Sequence, residues 1–405
     1  MIKIEITNDV ENAKKEHWKW IRNRFPIASN GMGLKGDAKR IFTIARKKKK
    51  ELYILLGYVS KKQCGNDALV DSKDSLFEKL ICADPKELLS LCHDKQYSTL
   101  VLKTPNNIQS LNKKKRILKA LDKSNPNYSF LKKKIDLLEK KYKKDIRNFN
   151  KRVKMGEKVR KILNYELLYK KDNSWNAYEL CRKINLSVCP YCNRQYIFTV
   201  KRKNEWTVRP QLDHFFIKTV YPFLSCSFFN LIPSCPFCNE GKGDDDRETI
   251  YPYLEEFGKN YVFRMDINDL NLLKTANTVK ENDNYSICLD DKNVYTNVGQ
   301  NYEQVDTYKK FQQLLHLSNK IFHLTELYNA HQSDLKDLLE KYVSVTGANL
   351  DELADKYYNG KKNITDKEKE SLRKILLGLP IKIENGDYPL RKFKEDIIDQ
   401  LDKEK

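Results

Sequence analysis

Two cysteine pairs, Cys189-Pro-Tyr-Cys192 and Cys235-Pro-Phe-Cys238, bracket a stretch that contains the adjacent acid and imidazole Asp213-His214. A two-residue spacer lets a tight turn aim both thiolates at one ion, and two such turns supply the four soft ligands of a tetrahedral zinc site. With every position filled by sulfur, none stays open for a reactive water, so the expected zinc is structural rather than catalytic. A redox dithiol is the alternative, but neither pair has a thioredoxin-like pattern around it, and the two share their Pro-aromatic spacer and a following asparagine.

The elements that must carry these residues follow from pattern. Strand character runs from Tyr196 to Val200, a basic turn follows, and a second extended run from Thr207 to Leu212 ends in Asp213-His214. A loop leads through Asn230-Leu-Ile-Pro to the second pair, and a helix is expected near Asn239. The result is a ββα unit clamped at both ends by zinc. Neighbouring side chains on a strand face opposite ways, so Asp213 and His214 suit a metal ligand beside a general base. Taken singly, Asp213 also reads as a cap, His214 as a hydrogen-bonded loop histidine, and Asn230 and Asn239 as turn residues. Their joint order inside a four-cysteine frame is what argues for chemistry.

In that order the residues resemble the HNH endonuclease family. Its pattern of Cys-x-x-Cys, Asp-His, Asn-Leu, Cys-x-x-Cys-Asn and a nearby Lys is matched by Cys189, Cys192, Asp213, His214, Asn230, Leu231, Cys235, Cys238, Asn239 and Lys242. The resemblance implies that His214 is the general base, that Asp213 and Asn239 hold one catalytic Mg²⁺ or Mn²⁺, that Asn230 holds the loop and orients His214, and that Lys242 contacts phosphate. It also implies products with 5′-phosphate and 3′-hydroxyl ends. Chemistry agrees, because phosphodiester hydrolysis needs a base that works near neutral pH and a hard cation to offset charge on the phosphate and leaving oxygen. Two departures leave the path of the substrate groove open: Ile217 stands where many members have proline, and Lys218-Thr-Val-Tyr-Pro-Phe replaces a glycine-rich loop.

The segments CPYCNR, RPQLDHFF and YPFLSCSFFNLIPSC, with LTELYNAH and PLRKFKEDIIDQL further on, are similar to the HNH nucleases that accompany ATPases in Septu-type bacterial anti-phage systems. That looser resemblance spans roughly 175 to 405 and leaves the N-terminal part uncovered. It implies an ATPase partner and a role in antiviral defence.

Composition agrees with a polyanionic partner. Of 405 residues, 76 are Lys or Arg against 55 Asp or Glu, a net charge of +21. The excess from Lys113 to Lys171 supplies most of it, and there Leu131, Ile135, Leu138, Tyr142, Ile146, Phe149 and Val153 recur at spacings of three and four, as on one stripe of a long helix. An isolated run of this kind is usually a solvated face; beside a nuclease-like motif it reads as a phosphate-contacting arm. The opening MIKIEITNDVENAKK lacks the uncharged core of a signal peptide and no apolar run could span a bilayer, so a cytoplasmic protein with no membrane contact is expected.

Four regions are therefore expected: a mixed α/β segment of unknown role (1–105), a basic helical arm (106–178), the nuclease core (179–260) and a mainly helical C-terminal region (261–405). In the first, LYILLGYVS (52–60) and STLVLKT (98–104) read as strands, and SLFEKL and PKELLSLC as short helices. Gly31-Met-Gly33-Leu-Lys-Gly36 has dinucleotide-binding spacing but no strand leading into it, so it reads as a turn before a helix; no Walker A motif is present. His316, His323 and His331 fall near one face of an expected helix but about two turns apart, too far for one ion, and read as core or interface residues. Cys64, Cys82, Cys92, Cys181, Cys226 and Cys288 read as small buried hydrophobes.

The fold class expected is α+β, predominantly helical, and the function is metal-dependent cleavage of nucleic acid, DNA by default. An RNA- or tRNA-directed nuclease and a non-catalytic zinc-dependent nucleic-acid-binding subunit are the rivals.

Overall fold

The computed structural model describes residues 1–25, 35–56, 71–94, 97–98, 100–171, 174–203, 205–266, 268–271, 285–291, 302–345, 348–359, 363–381 and 388–403. The chain is α+β and mostly helical, with three two-stranded sheets among the described residues. None of the described helices is long and apolar enough to cross a membrane. The chain divides into two compact units, one of Asn8–Leu180 with Asp213–Ile232, the other of Met1–Thr7, Cys181–Leu212 and Pro233–Lys405.

The first unit is built on helices α1 (Asn8–Arg24), α2 (Asp37–Leu55), α3 (Asp71–Cys82), α4 (Pro85–His93), α5 (Asn106–Ala120), α6 (Pro126–Lys141) and α7 (Lys143–Leu163). On α1, Val10, Ala13, His17 and Ile21 recur at helical spacing and are all buried. Phe77 of α3 receives Trp18 and Phe25 edge-on, each with ring centroids 5.5 Å away. Helix α4 starts where the sequence marks it: the Asp84 side chain accepts from Glu87 N–H and Pro85 opens the first turn.

Two expectations in this unit are corrected. The 52–60 segment is no strand where it is described: Leu52, Tyr53 and Leu56 are buried at helical spacing, and the helix runs on to Leu55. Residues 57–60 lie outside the described residues, as do 31–33 of the glycine motif and Cys64. The 98–104 segment forms no strand over its described residues; its backbone is tied elsewhere, Leu102 N–H donating to Val220 O at 2.7 Å and Arg152 to Val101 O.

The long helix expected to carry the stripe from Leu131 to Val153 is two helices. The chain leaves the helical basin at Tyr142 (φ −97°, ψ 14°), which ends α6 and opens α7. The apolar stripe survives the break because the phase is nearly kept; Ile135 is buried and Leu138, Tyr142, Ile146, Phe149 and Val153 are half-buried. An ion pair from Lys115 of α5 to Glu139 of α6 and a 2.8 Å bond from Asn107 to Asp145 fasten the arm. A Cβ on Gly156 of α7 would lie 2.6 Å from Leu102 Cδ1 and 3.0 Å from Pro222 Cγ, so any larger residue there would make the Leu102 side chain shift.

The second unit holds β1 (Val200–Arg202), β2 (Glu205–Val208), β5 (Val262–Met265), β6 (Ile287–Asp290), α9 (Pro236–Lys242), and α10 to α15 (Tyr302–Phe322, Leu324–Asn329, Gln332–Ser344, Ala348–Tyr357, Asp366–Leu376, Arg391–Lys403). Helix α8 (Ala177–Ile184) and strands β3 (Gln211–His214) and β4 (Leu231–Ser234) are where the chain passes between units. Both edges of the β5–β6 sheet are closed by amide and carboxylate side chains. On β5, Asp396 accepts from Phe263 N–H and Gln400 bonds both backbone groups of Met265; on β6, Asn329 does the same for Ile287. A two-stranded sheet is thereby stabilised without a third strand.

The expected ββα unit is shifted along the chain. Arg209-Pro210 interrupts the run from Thr207, because proline supplies no N–H for pairing, so the segment splits into β2, which pairs with β1, and β3, which pairs with β4. Helix α9 begins at Pro236 rather than near Asn239. The helix expected to carry His316, His323 and His331 is also broken: His323 takes a left-handed conformation (φ 49°) between α10 and α11, and His331 precedes α12. None of the three histidines is a core residue. His316 is exposed and meets Asp291 at 2.9 Å, His323 is exposed, and His331 is half-buried. Of the remaining cysteines, Cys181 and Cys226 are buried as expected, Cys82 and Cys92 are partly exposed, and Cys288 is exposed.

Candidate functional site

In the second unit the four cysteines come together. The ligand sulfurs of Cys189, Cys192, Cys235 and Cys238 lie within 4.8 Å of one another, all buried, and Cys192 and Cys235 are 3.9 Å apart. Four sulfurs around one zinc at about 2.3 Å sit about 3.8 Å from each other, so this donor set fits a zinc ion. The electrostatics fit too. Burial pushes the Cys189 thiol up, while hydrogen bonds from the neighbouring thiols and Arg194 N–H hold Cys192 well below the usual thiol range. Four crowded thiolates need a cation to offset their repulsion.

Both knuckles are held by backbone geometry. In the first, Asn193 N–H donates to Cys189 O at 2.8 Å with Asn193 in the left-handed region (φ 52°), Arg194 N–H reaches Cys192 Sγ at 3.4 Å, and Cys189 N–H donates to Gln195 O at 2.9 Å. In the second, Cys235 caps α9 with Pro236 in its first turn, and Asn239 N–H donates to Cys235 O at 3.1 Å. Supports from far along the chain were not legible in the motif. Tyr328 donates to Cys192 O at 2.6 Å, Tyr191 stacks on Phe322 at 4.4 Å, and Asn193 bonds Tyr388 O and the backbone of Leu390 and Lys392. Arg194 donates to His331 Nε2 at 2.9 Å, with Asp334 on the other ring nitrogen.

Asn239 and Lys242 belong to the same unit. The Asn239 amide donates from Nδ2 to Gln211 Oε1 at 2.5 Å, which keeps Oδ1 as its acceptor face. Lys242 is buried in the last turn of α9. Beyond it Asp245 is gripped by Arg247, which holds that carboxyl below its usual range.

In the first unit, Asp213, His214 and Asn230 are all buried. Ring nitrogen Nε2 of His214 lies 3.0 Å from Ser225 O. A carbonyl oxygen only accepts, so Nε2 is the donor in this bond. Tyr165 meets the imidazole edge to face with centroids 4.8 Å apart, and Lys218 donates to the Tyr165 hydroxyl at 2.5 Å while standing 4.4 Å above its ring. Asn230 closes the loop that follows His214: Oδ1 accepts from Phe216 N–H at 2.7 Å, and Nδ2 donates to Phe216 O at 3.1 Å and Leu224 O at 2.9 Å. Its carbonyl accepts from Phe215 N–H at 2.9 Å. Tyr165 and Ser225 have no place in the sequence motif; only the fold brings them to His214.

A second buried histidine was also missed. His17 donates from Nε2 to Cys226 O at 2.9 Å and accepts at Nδ1 from the Trp175 indole at 3.0 Å. Burial lowers its pKa to about 4. Its neighbours satisfy a neutral ring on both sides, which marks it as structural.

No protein-family model matches this sequence, and neither a curated protein nor a solved structure matches it.

Proposed function

We propose that this protein is a metal-dependent HNH-type endonuclease that hydrolyses phosphodiester bonds, with DNA as the default substrate. The observation that carries the reading is the His214–Ser225 hydrogen bond, which holds the imidazole in one orientation through Nε2; as the base, that ring would take a proton from water. Asn230 supports it by pinning the two residues that follow His214. Asp213 and the Asn239 amide oxygen, which lie in different units, are assigned as the hard ligands of a Mg²⁺ or Mn²⁺ by resemblance alone. When bound, that ion offsets charge on the phosphate and the departing 3′ oxygen. Lys242 is assigned the phosphate contact by resemblance alone. The four-cysteine zinc keeps the knuckles folded and takes no part in the reaction. The basic α6–α7 arm adds sequence-independent affinity, and the chain acts in anti-phage defence with an ATPase partner.

A second reading, a zinc-dependent binding subunit without turnover, draws on the low exposure of Asp213, His214 and Lys242. The two separate in one experiment. Purified protein and a His214→Ala variant are incubated with plasmid DNA and with total RNA, with added Mg²⁺ or Mn²⁺, alone and with a co-expressed ATPase. Cleavage by the wild type and not the variant supports the nuclease; no cleavage under any condition leaves the binding subunit.

A further inference from the structure

The chain leaving the first knuckle carries a row of exposed apolar side chains. Around Tyr196 the backbone is extended, bridged to Val188, and Ile197 N–H donates to Ser187 O at 2.9 Å. Ile197 is therefore turned in and buried, while Tyr196 and Phe198 on either side are 52% and 51% exposed. Their rings stack in solvent with centroids 4.8 Å apart and planes 21° from parallel. Val200 follows on the same face, and its cross-strand partner Val208 is likewise exposed. At the far end of this ribbon the turn is basic: Lys201, Arg202 and Lys203 are exposed, with Lys201 lying 3.9 Å over the Trp206 ring.

Exposed aromatic rings in a row are costly to leave in water and mark a surface with an occupant. Charge identifies its chemistry. The basic tip calls for a polyanion, and flat π faces beside it fit unpaired bases, which stack on aromatic rings whatever their sequence. A duplex hides those faces within its own stack. We infer that the β1–β2 ribbon and the extended segment leading into it form a binding platform for single-stranded nucleic acid, with bases on Tyr196 and Phe198 and phosphates at Arg202 and Lys203. This rests on the nuclease reading and narrows its substrate to strands that are single or locally opened.

The test uses the full chain and a labelled single-stranded oligonucleotide of mixed sequence, with its duplex as control, by fluorescence anisotropy without added divalent metal, so that binding is read without cleavage. Tyr196→Ala with Phe198→Ala should weaken single-strand binding about tenfold to a hundredfold, the loss of one or two stacked bases, with duplex binding changed less than about twofold. Tyr196→Phe with Phe198→Tyr should restore it, and the melting temperature should hold because both side chains are half in solvent. Unchanged single-strand binding by the alanine variant overturns the inference, as does an equal loss for the duplex. Loss of a co-expressed ATPase partner with oligonucleotide binding intact would assign the ribbon to protein contact and overturn it too. Failure of the nuclease reading looks different: His214→Ala would cleave like the wild type, whatever the ribbon variant does to binding.

Discussion

The imidazole of His214 donates through Nε2 to the carbonyl oxygen of Ser225, eleven positions along the same loop. The bond sets both the ring's tautomer and its direction, so the loop path and the chemistry of the ring are one feature.

Removal of the proposed base should be severe for activity and mild for fold. His214→Ala is expected to lower the cleavage rate by about 10²- to 10⁴-fold, the usual contribution of a positioned general base. The circular dichroism spectrum should be unchanged. Loss of fold together with activity would return His214 to a structural role.

Asn230 makes the opposite prediction. Its side chain satisfies three buried backbone groups, and alanine would leave Phe216 N–H and the Phe216 and Leu224 carbonyls without it. Each unsatisfied buried group costs about 1–3 kcal/mol, so Asn230→Ala should destabilise the protein by about 3 kcal/mol or more in urea denaturation. A loss under about 1 kcal/mol would mean the loop closes without it.

What the sequence disclosed and what it hid divide along a physical line. Ligand spacing is local, so the four cysteines and their burial together could be read from two short motifs. The strands around them could not be placed as well, because the break at Arg209-Pro210 moves the pairing of everything after it. Left-handed His323 likewise cuts a helix whose apolar spacing continues through it. Least legible were the long-range partners. Nothing near Cys192 announces that Tyr328 will bond its carbonyl, and nothing in the Asp-His motif announces Tyr165.

Zinc should be stoichiometric and structural. Metal analysis of the purified chain is expected to find one zinc, and Cys192→Ser or Cys238→Ser should lose it and expose the surrounding core to proteolysis. Prolonged chelation should melt the knuckle region rather than slow catalysis in an otherwise intact fold. A zinc-free protein with unchanged melting temperature would contradict the assignment.

His17 predicts a pH dependence of stability. Its folded pKa, about 4, lies below the ordinary 6.5, so the unfolded chain binds the extra proton first. The contribution is therefore full above pH 6.5 and is lost as pH falls toward 4. The difference corresponds to about 3 kcal/mol at the acid end. Protonation would also place an N–H at Nδ1 against the Trp175 indole N–H. Denaturation midpoints measured across this window should fall with acid, and His17→Gln should flatten the slope. An unchanged slope would mean that other groups dominate.

The basic arm offers a measurement independent of turnover. Lys132, Lys133, Lys134, Lys143, Lys144, Lys151 and Lys154 are exposed along α6 and α7, while the apolar stripe of the same helices is turned inward. Each lysine that contacts a phosphate releases a counterion, so the slope of log affinity against log salt falls in magnitude by about 0.7 to 0.9 for every contact removed. Substituting Lys133, Lys144 and Lys151 with glutamine should flatten that slope by about 2.7 for a duplex if all three touch it. The exposed side chains carry little packing, so stability should hold. Weaker binding with an unchanged slope would point to altered shape rather than lost phosphate contacts, and unchanged binding would return the arm to a solvated face of the first unit.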